Sequence, residues 1–361
     1  MDRGGACVSI LHALENLPPE AAARFASDAL ASPFHGATWF AILAESCATA
    51  RHRPFLVASQ DGGLIAPLAE RRDRSGRHLE SWTNFYSCDF TPLAGHLPPD
   101  AQAARLAAAL AATRPRIDTL HLQTMRADDG TADLLAAALR RHGWWTQAYT
   151  QFGNWYERVS GIGYEAYLAR RDGRLRATIE RRTRRFLARS GATLALATTP
   201  AELEPAIAAY EDVHRRSWKD AEPFPRFIGA FVRRMAAAGC VRMGVAALDG
   251  RPVAAQIWLV WQRRATIAKL AHDEALRDLS PGTVLTAWMI RAALDAQAVD
   301  EIDFGRGDDP YKRHWLECRR PIGALMAGNL ATLRGTAAAL RHLTPALVRR
   351  GARLLARGQP D

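Results

Sequence analysis

Twice along this chain, two short apolar runs flank an Asp-Gly turn. Pro54–Ser59 and Leu64–Ala69 lie either side of Asp61-Gly62-Gly63, and Val241–Leu248 and Pro252–Trp261 either side of Asp249-Gly250-Arg251. Gly and Asp supply the backbone conformations that a tight reversal needs, so each unit specifies an antiparallel hairpin. Each hairpin then leads into strand, helix and strand. In the first half these are His78–Trp82, a helix over Ala101–Ala112 that starts after Pro98-Pro99-Asp100, and Ile117–Gln123. A helix over Ala132–Arg141, closed by Gly143, and a strand over Trp144–Tyr149 follow. In the second half they are Ala265–Ala271, a helix over Gly282–Ala296 with Leu285, Trp288, Met289 and Ala292 on one face, and Glu301–Phe304. The second hairpin is preceded by a strand, Leu194–Ala197, and by helices over Pro205–Ser217 and Phe227–Ala238. The pattern predicts an α/β chain with a mixed α+β sheet, built as two similar halves. No repeat is visible in the residues themselves.

The 361 residues suit two or three units. We expect a first lobe over 1–155, a basic bridging helix over 156–190, a second lobe over 191–330 and a basic C-terminal helix or tail over 331–361. Arg170–Arg189 carries nine arginines, with Leu168, Leu175, Ile179 and Phe186 at helical spacing on one face. It reads as a solvated helix face or as a surface for phosphate or membrane. Arg334–Arg357 carries six arginines interleaved with leucines, a docking helix or one lying on an anionic membrane.

The net charge of +11 attracts anionic partners and says nothing of fold. No apolar run is long enough for a transmembrane helix. Met1–Leu14 lacks the pattern of a signal peptide. The five cysteines are widely spaced, without C-x-x-C, and the eleven histidines make no ligand spacing. These features predict a cytoplasmic protein with neither a disulfide framework nor a metal.

The chemistry concentrates between Lys269 and Trp315. A strand ends near Lys269; His272-Asp273-Glu274 follows, and Arg277-Asp278-Leu279-Ser280-Pro281-Gly282-Thr283 opens a helix. The free N–H groups and dipole of such a start favour a phosphate, with Gly282 allowing close approach and Ser280 or Thr283 able to cap or donate. The next strand ends at Asp303 and runs through Gly305-Arg306-Gly307-Asp308-Asp309-Pro310 to Tyr311-Lys312-Arg313-His314-Trp315, which can form another wall of a cleft. Trp82, Asn84, Phe85, Tyr86 and Asp89 form an aromatic–polar loop that could roof a site between the halves.

Taken in order, Ser217-Trp218-Lys219, Lys269, His272-Asp273, Ser280-Pro281-Gly282, Asp303-Phe304-Gly305 and Tyr311-Lys312-x-x-Trp315 resemble the GNAT superfamily. More closely, they look like its CelD/BcsL, or BioF2-like, acetyltransferase branch, related to the FemAB peptidyltransferases. The resemblance is best over 160–325; in the first half the family has a degenerate GNAT-like unit. It implies acyl transfer from acyl-coenzyme A, such as acetyl-CoA, to an amino or hydroxyl group of a small molecule or envelope saccharide, as in exopolysaccharide biosynthesis. The FemAB relatives imply aminoacyl-tRNA as an alternative donor; a non-catalytic binding protein is a third reading. The family's pyrophosphate loop, R/Q-x-x-G-x-G/A, matches here at Arg277 and Gly282. It departs at Ser280, and Pro281 removes one N–H donor. The resemblance places the cofactor against Arg277, Ser280, Gly282 and Thr283. Proton acceptors are sought among His272, Asp273, Glu274 and Asp303, and Tyr311 is expected to protonate the leaving thiolate. The backbone of the Lys269 strand would supply an oxyanion donor. Lys312, as a point charge, with Trp218, Lys219, Lys269 and Trp315, would face the acceptor. The basic surfaces imply contact with the inner face of a membrane, and tRNA under the alternative.

Overall fold

Both predicted hairpins form, and their turns show why Asp and Gly are needed. Asp249 and Gly250 both adopt positive φ (48° and 75°), the backbone of a two-residue reversal whose twist matches the strands. In the first hairpin the Asp61 carboxylate accepts from the Gly63 N–H at 2.8 Å. Gly62 has φ 66°, and a Cβ there would lie 3.0 Å from the Glu20 carbonyl oxygen.

The structure, a computed structural model, describes residues 7–49 and 52–342. Its strands are β1 (Val8–Leu11), β2 (His52–Ser59), β3 (Ile65–Asp73), β4 (Gly76–Ser81), β5 (Thr119–Arg126) and β6 (Trp144–Arg158) in the first half. The second half holds β7 (Thr193–Ala197), β8 (Val241–Leu248), β9 (Arg251–Trp261), β10 (Arg264–His272), β11 (Glu301–Asp303) and β12 (Cys318–Asn329). They make one sheet in the order β1-β2-β3-β4-β5-β12-β6-β11-β10-β9-β8-β7. Exchanging each strand for its counterpart in the other half and reading backwards returns the same order, so the two halves share one topology. The last strand of each half is lent to the other. β12 lies between β5 and β6, and β6 between β12 and β11. The parallel pairs, β4 with β5 and β10 with β11, occupy equivalent places.

The helices repeat the correspondence. The first half contains α1 (Pro19–Phe25), α2 (Ala37–Ser46), α3 (Pro99–Ala112) and α4 (Thr131–Arg141). Between the halves lie α5 (Tyr164–Ala169) and α6 (Gly173–Leu187), and the second half adds α7 (Pro200–Arg215), α8 (Phe227–Ala237), α9 (Pro281–Arg291) and α10 (Lys312–Trp315). The second helix of each half packs on its counterpart: Trp39 of α2 meets Phe231 and Phe227 of α8 edge-on at 5.9 and 6.1 Å. Each such fully buried ring contributes roughly 2–3 kcal/mol of apolar burial, so the halves share a core as well as a sheet.

Several elements differ from the sequence expectation. β12 was not foreseen, because Pro321, Gly323, Ala324, Ala327 and Gly328 are poor strand formers. Its register shifts between Ile322 and Gly323 absorb the irregularity. α7 starts at Pro200 rather than Pro205, since Thr199 and Glu202 form a reciprocal cap. α9 ends at Arg291, and residues 292–296 widen into a π-turn. The basic helix begins at Gly173, capped by Asp172, and buries Ile179 and Phe186. Arg171, just before it, is itself buried against Glu157. Of the basic C-terminal segment, 333–342 is helical, and the residues from 343 lie outside the described part. Among the described residues no helix is long and apolar enough to cross a membrane.

Candidate active site

β10 and β11 pair over three residues only, ending at Thr266↔Asp303. Beyond that point β10 continues to His272 against β9, while the other chain turns away at Gly305. The edge of β10 that faced β11 is left without a strand partner, and a register shift between Ile267 and Lys269 bulges it. Polar backbone at such an opening needs a partner from outside the sheet.

A cleft of about 620 Å³ occupies the opening. Ile267–Leu270 and Phe304 form its floor. His272, Arg277, Ser280, Gly282, Thr283 and Thr286 form the wall at the start of α9. Trp218 and Lys219, from the loop after α7, form the facing wall; Arg306, Asp309, Tyr311, Lys312 and Trp315 close one end. The first half supplies the roof, Phe85, Tyr86 and Cys88, as the sequence suggested for that loop. Of the same loop, Trp82 packs against Phe40, 5.4 Å between rings, and Asp89 is held by Ser32 and His35.

At the start of α9, Ser280 adopts left-handed backbone (φ 49°) and provides no side-chain cap. Pro281 has no N–H, so Gly282 and Thr283 present the free donors of the first turn. A Cβ on Gly282 would stand 3.2 Å from His272 Nδ1, so glycine lets the helix start against that ring. Burial lowers the His272 pKa, which favours a neutral ring.

Three of the sequence candidates, Asp273, Glu274 and Asp303, lie outside the cleft lining, which corrects the expectation that they act on substrate. Glu274 stands 3.6 Å from Arg277 and 3.8 Å from His272. Asp273 is buried; its carboxylate caps Ala275 N–H at 3.0 Å and is ion-paired with Arg216 and with Arg251 at 3.3 Å. Asp303 turns into the sheet, where Oδ1 accepts from Asn154 Nδ2 (2.8 Å) and Gly305 N–H (2.7 Å). Burial raises its pKa against the pull of Arg320. Lys312 lines the cleft but its ammonium is committed: it donates to the carbonyls of Arg306 (2.8 Å) and Gly307 (3.1 Å) and lies 3.2 Å from Asp309. It ties the 305–309 loop together rather than standing free for an acceptor. Trp315 packs on Phe304, and its carbonyl accepts from Tyr167 and Arg171. Tyr311 is half exposed, and burial of its phenol pushes its pKa up, so it is protonated at neutral pH.

Sequence reasoning missed Glu222. Its Oε1 accepts from Lys269 Nζ at 2.6 Å and lies 3.4 Å from His214 Nε2; its Oε2 accepts from Tyr86 OH at 2.5 Å. Burial alone would raise the Glu222 pKa, but Lys269 and Tyr86 outweigh it and lower it. Lys269 also stands 4.4 Å over the Tyr86 ring. This pair ties the first-half loop to the second-half cleft. One countable signal was present: of the 48 lysine and arginine residues, three are lysines. All three, Lys219, Lys269 and Lys312, line this cleft.

Residues 173–313 match the family model for an acetyltransferase (GNAT) domain. The second half carries a GNAT-type acyltransferase fold. The match spans β7 to β11, the cleft and most of its lining. The whole chain is similar to the crystal structure of FemX, with TM-score 0.59 and 10% identity, over 88% of this chain and 96% of that one. It is also similar to a conserved protein of unknown function from Bacteroides thetaiotaomicron VPI-5482 (TM-score 0.56, 9% identity, 90% of this chain and 100% of that one). A third is the C-terminal domain of an Agrobacterium fabrum protein named for lysylphosphatidylglycerol synthesis (TM-score 0.50, 13% identity, 82% of this chain and 88% of that one). At these identities the likeness is one of fold. No curated protein matches the sequence.

Proposed function

We propose that the cleft transfers an acyl group from acyl-coenzyme A to an amine or hydroxyl. The observation that carries this is the opening between β10 and β11, flanked by the uncapped start of α9, inside the matched domain. Gly282 and Thr283 N–H groups and Arg277 would hold the pyrophosphate, with one donor fewer because of Pro281. The unpaired backbone of the β10 bulge would donate to the thioester carbonyl oxygen as negative charge develops there. The acceptor nitrogen or oxygen attacks the carbonyl carbon, the carbon–sulfur bond breaks, and Tyr311 gives its proton to the departing thiolate. Of the proton acceptors the sequence suggested, His272 lines the cleft, at the end where α9 starts. The acceptor would enter between Trp218 and the Phe85–Tyr86 roof. The CelD/BcsL resemblance favours an envelope saccharide or small molecule as acceptor, at the inner face of a membrane. On this reading 1–155 and 191–330 are the two lobes, 156–190 bridges them and 331–361 is a basic appendage.

Calorimetric titration of acetyl-CoA and coenzyme A, with Gly282→Asp as control, tests the donor. Binding that the control abolishes supports the reading, because the aspartate places a carboxylate where the pyrophosphate would lie. Absence of binding at millimolar ligand refutes it. The full-length likeness to FemX favours a second reading, aminoacyl transfer from charged tRNA. Its mark would be tRNA binding that weakens steeply with salt.

A further inference from the structure

A chain that uses arginine for nearly every cation has kept lysine at three positions, all in one cleft. Where a fixed positive charge suffices, arginine serves as well or better, since it pairs with carboxylate and phosphate through two parallel donors. Lysine differs in having a compact ammonium, and it can lose its proton when buried. Two of the three use the first property. Lys312 fits between the Arg306 and Gly307 carbonyls, and Lys269 fits between Glu222 and the Tyr86 ring.

Lys219 is different. Its Nζ donates to the Leu270 carbonyl, and among the described residues no carboxylate pairs with it. Leu270 is the residue next to the β10 bulge, about 3 Å along the strand. The amine therefore stands beside the backbone expected to receive the reacting carbonyl. His272 stands two residues further on, against Gly282. We infer that Lys219, as a neutral amine, accepts the proton from the acceptor's nucleophile in this cleft. The inference rests on the acyl-transfer reading above. A neutral amine can keep one N–H on the Leu270 carbonyl while its lone pair faces the cleft; a guanidinium, always charged, has no lone pair to offer. The proton passes from the attacking amine or hydroxyl to Nζ as the new bond to carbon forms, and Nζ returns to the ammonium form until solvent removes the proton.

The surroundings favour the neutral amine. Burial is the largest influence, followed by repulsion from Lys269, with Lys312 adding to it; together they lower the Lys219 pKa to about 8. Glu222 and Asp309 oppose the shift but are engaged by Lys269 and Lys312. His214 and His272, which feel the Lys219 charge, are themselves shifted toward their neutral forms by burial. Arg277 and Arg306, the fixed positive charges lining the same cleft, stand with Tyr86, Cys88 and Tyr311, whose phenols and thiol burial keeps protonated.

Three lysines make the test clean. Full-length protein labelled with [15N]lysine has three side-chain nitrogen signals, assigned by Lys219→Arg, Lys269→Arg and Lys312→Arg in turn. The signal lost in Lys219→Arg is expected to titrate near pH 8. If it stays an ammonium up to about pH 10, the ordinary lysine range, Lys219 is a fixed charge that anchors an anion, and the inference is overturned without touching the proposed function. The second measurement is thiol release from acetyl-CoA, with water as the acceptor, across the same pH range. The wild type is expected to rise with the Lys219 titration. Lys219→Arg should bind acetyl-CoA unchanged by calorimetry yet lose about 100-fold in release rate and lose that rise. Unchanged binding with an unchanged pH profile overturns the inference alone. A wild type that binds no acetyl-CoA removes the acyl-CoA reading and this inference with it.

Discussion

Asp273 shows how a carboxylate in the right stretch of sequence can belong to the scaffold. Two arginines and a helix-capping N–H use its lone pairs, and Arg216 in turn bonds the Pro252 carbonyl. Removing the carboxylate takes from the part-buried Arg216 one of its two anionic partners and leaves the Ala275 N–H uncapped. Asp273→Ala should therefore lower unfolding free energy by about 1–3 kcal/mol, read by denaturant titration, while folded protein at low temperature keeps its affinity for acetyl-CoA. An intact stability with lost binding would return Asp273 to the site. Lys219 makes the opposite kind of prediction. Its folded-state value, about 8, lies below the lysine value of the unfolded chain. Between the two, the unfolded state binds more protons, so this group's penalty on stability is full below the folded value and fades as pH rises toward the unfolded one. Lys219→Met should thus be more stable than wild type near pH 7, with the difference in thermal midpoint shrinking toward about pH 10.

At the scale of elements, the site is made by two strands that part. Gly305 is where β11's chain turns away, with φ 61°, and a Cβ there would stand 2.3 Å from the Ile267 carbonyl oxygen. Gly305→Ala combines a left-handed backbone with a clash against backbone that cannot rotate aside. It should cost about 2–4 kcal/mol and weaken acetyl-CoA binding, since the displaced atoms are the cleft floor; a melt and a titration on the same sample would show both. Much of this layout was legible. The Asp-Gly turns, the Gly and Pro stops and the apolar runs are local signals, and they marked both hairpins and the strand–helix–strand units that follow. β12 was not legible. Pro321, its glycines and its alanines oppose strand formation locally, and it is a strand because β5 and β6 stand on either side.

For the whole molecule, the exchange of β6 and β12 means that neither half owns a complete sheet. Each half expressed alone should fail to give a cooperative unfolding transition, because its last strand has lost the partners that bury it, whereas the two expressed together should recover one. A half that melts cooperatively alone would show that the exchange is dispensable. The long loop after β4 follows the same logic: it crosses to the other half, where Phe85 and Tyr86 roof the cleft and Tyr86 holds Glu222.

By itself the sequence determined the local grammar: two hairpins, their turns, most helices, and a stretch from Lys269 to Trp315 in which most cleft residues were recognisable from residue type and order. Those features depend on neighbours a few positions away, and such interactions are written in the chain. Tertiary structure decided which polar groups face the opening and which hold the scaffold. Asp273, Asp303 and Lys312 looked free in the sequence, but arginines and backbone carbonyls up to 57 positions away, and an asparagine 149 away, consume them. Glu222 and the Tyr86 roof join the site only when the two halves meet. A side chain's availability depends on what is packed against it, and long-range packing is settled by burial of the whole chain.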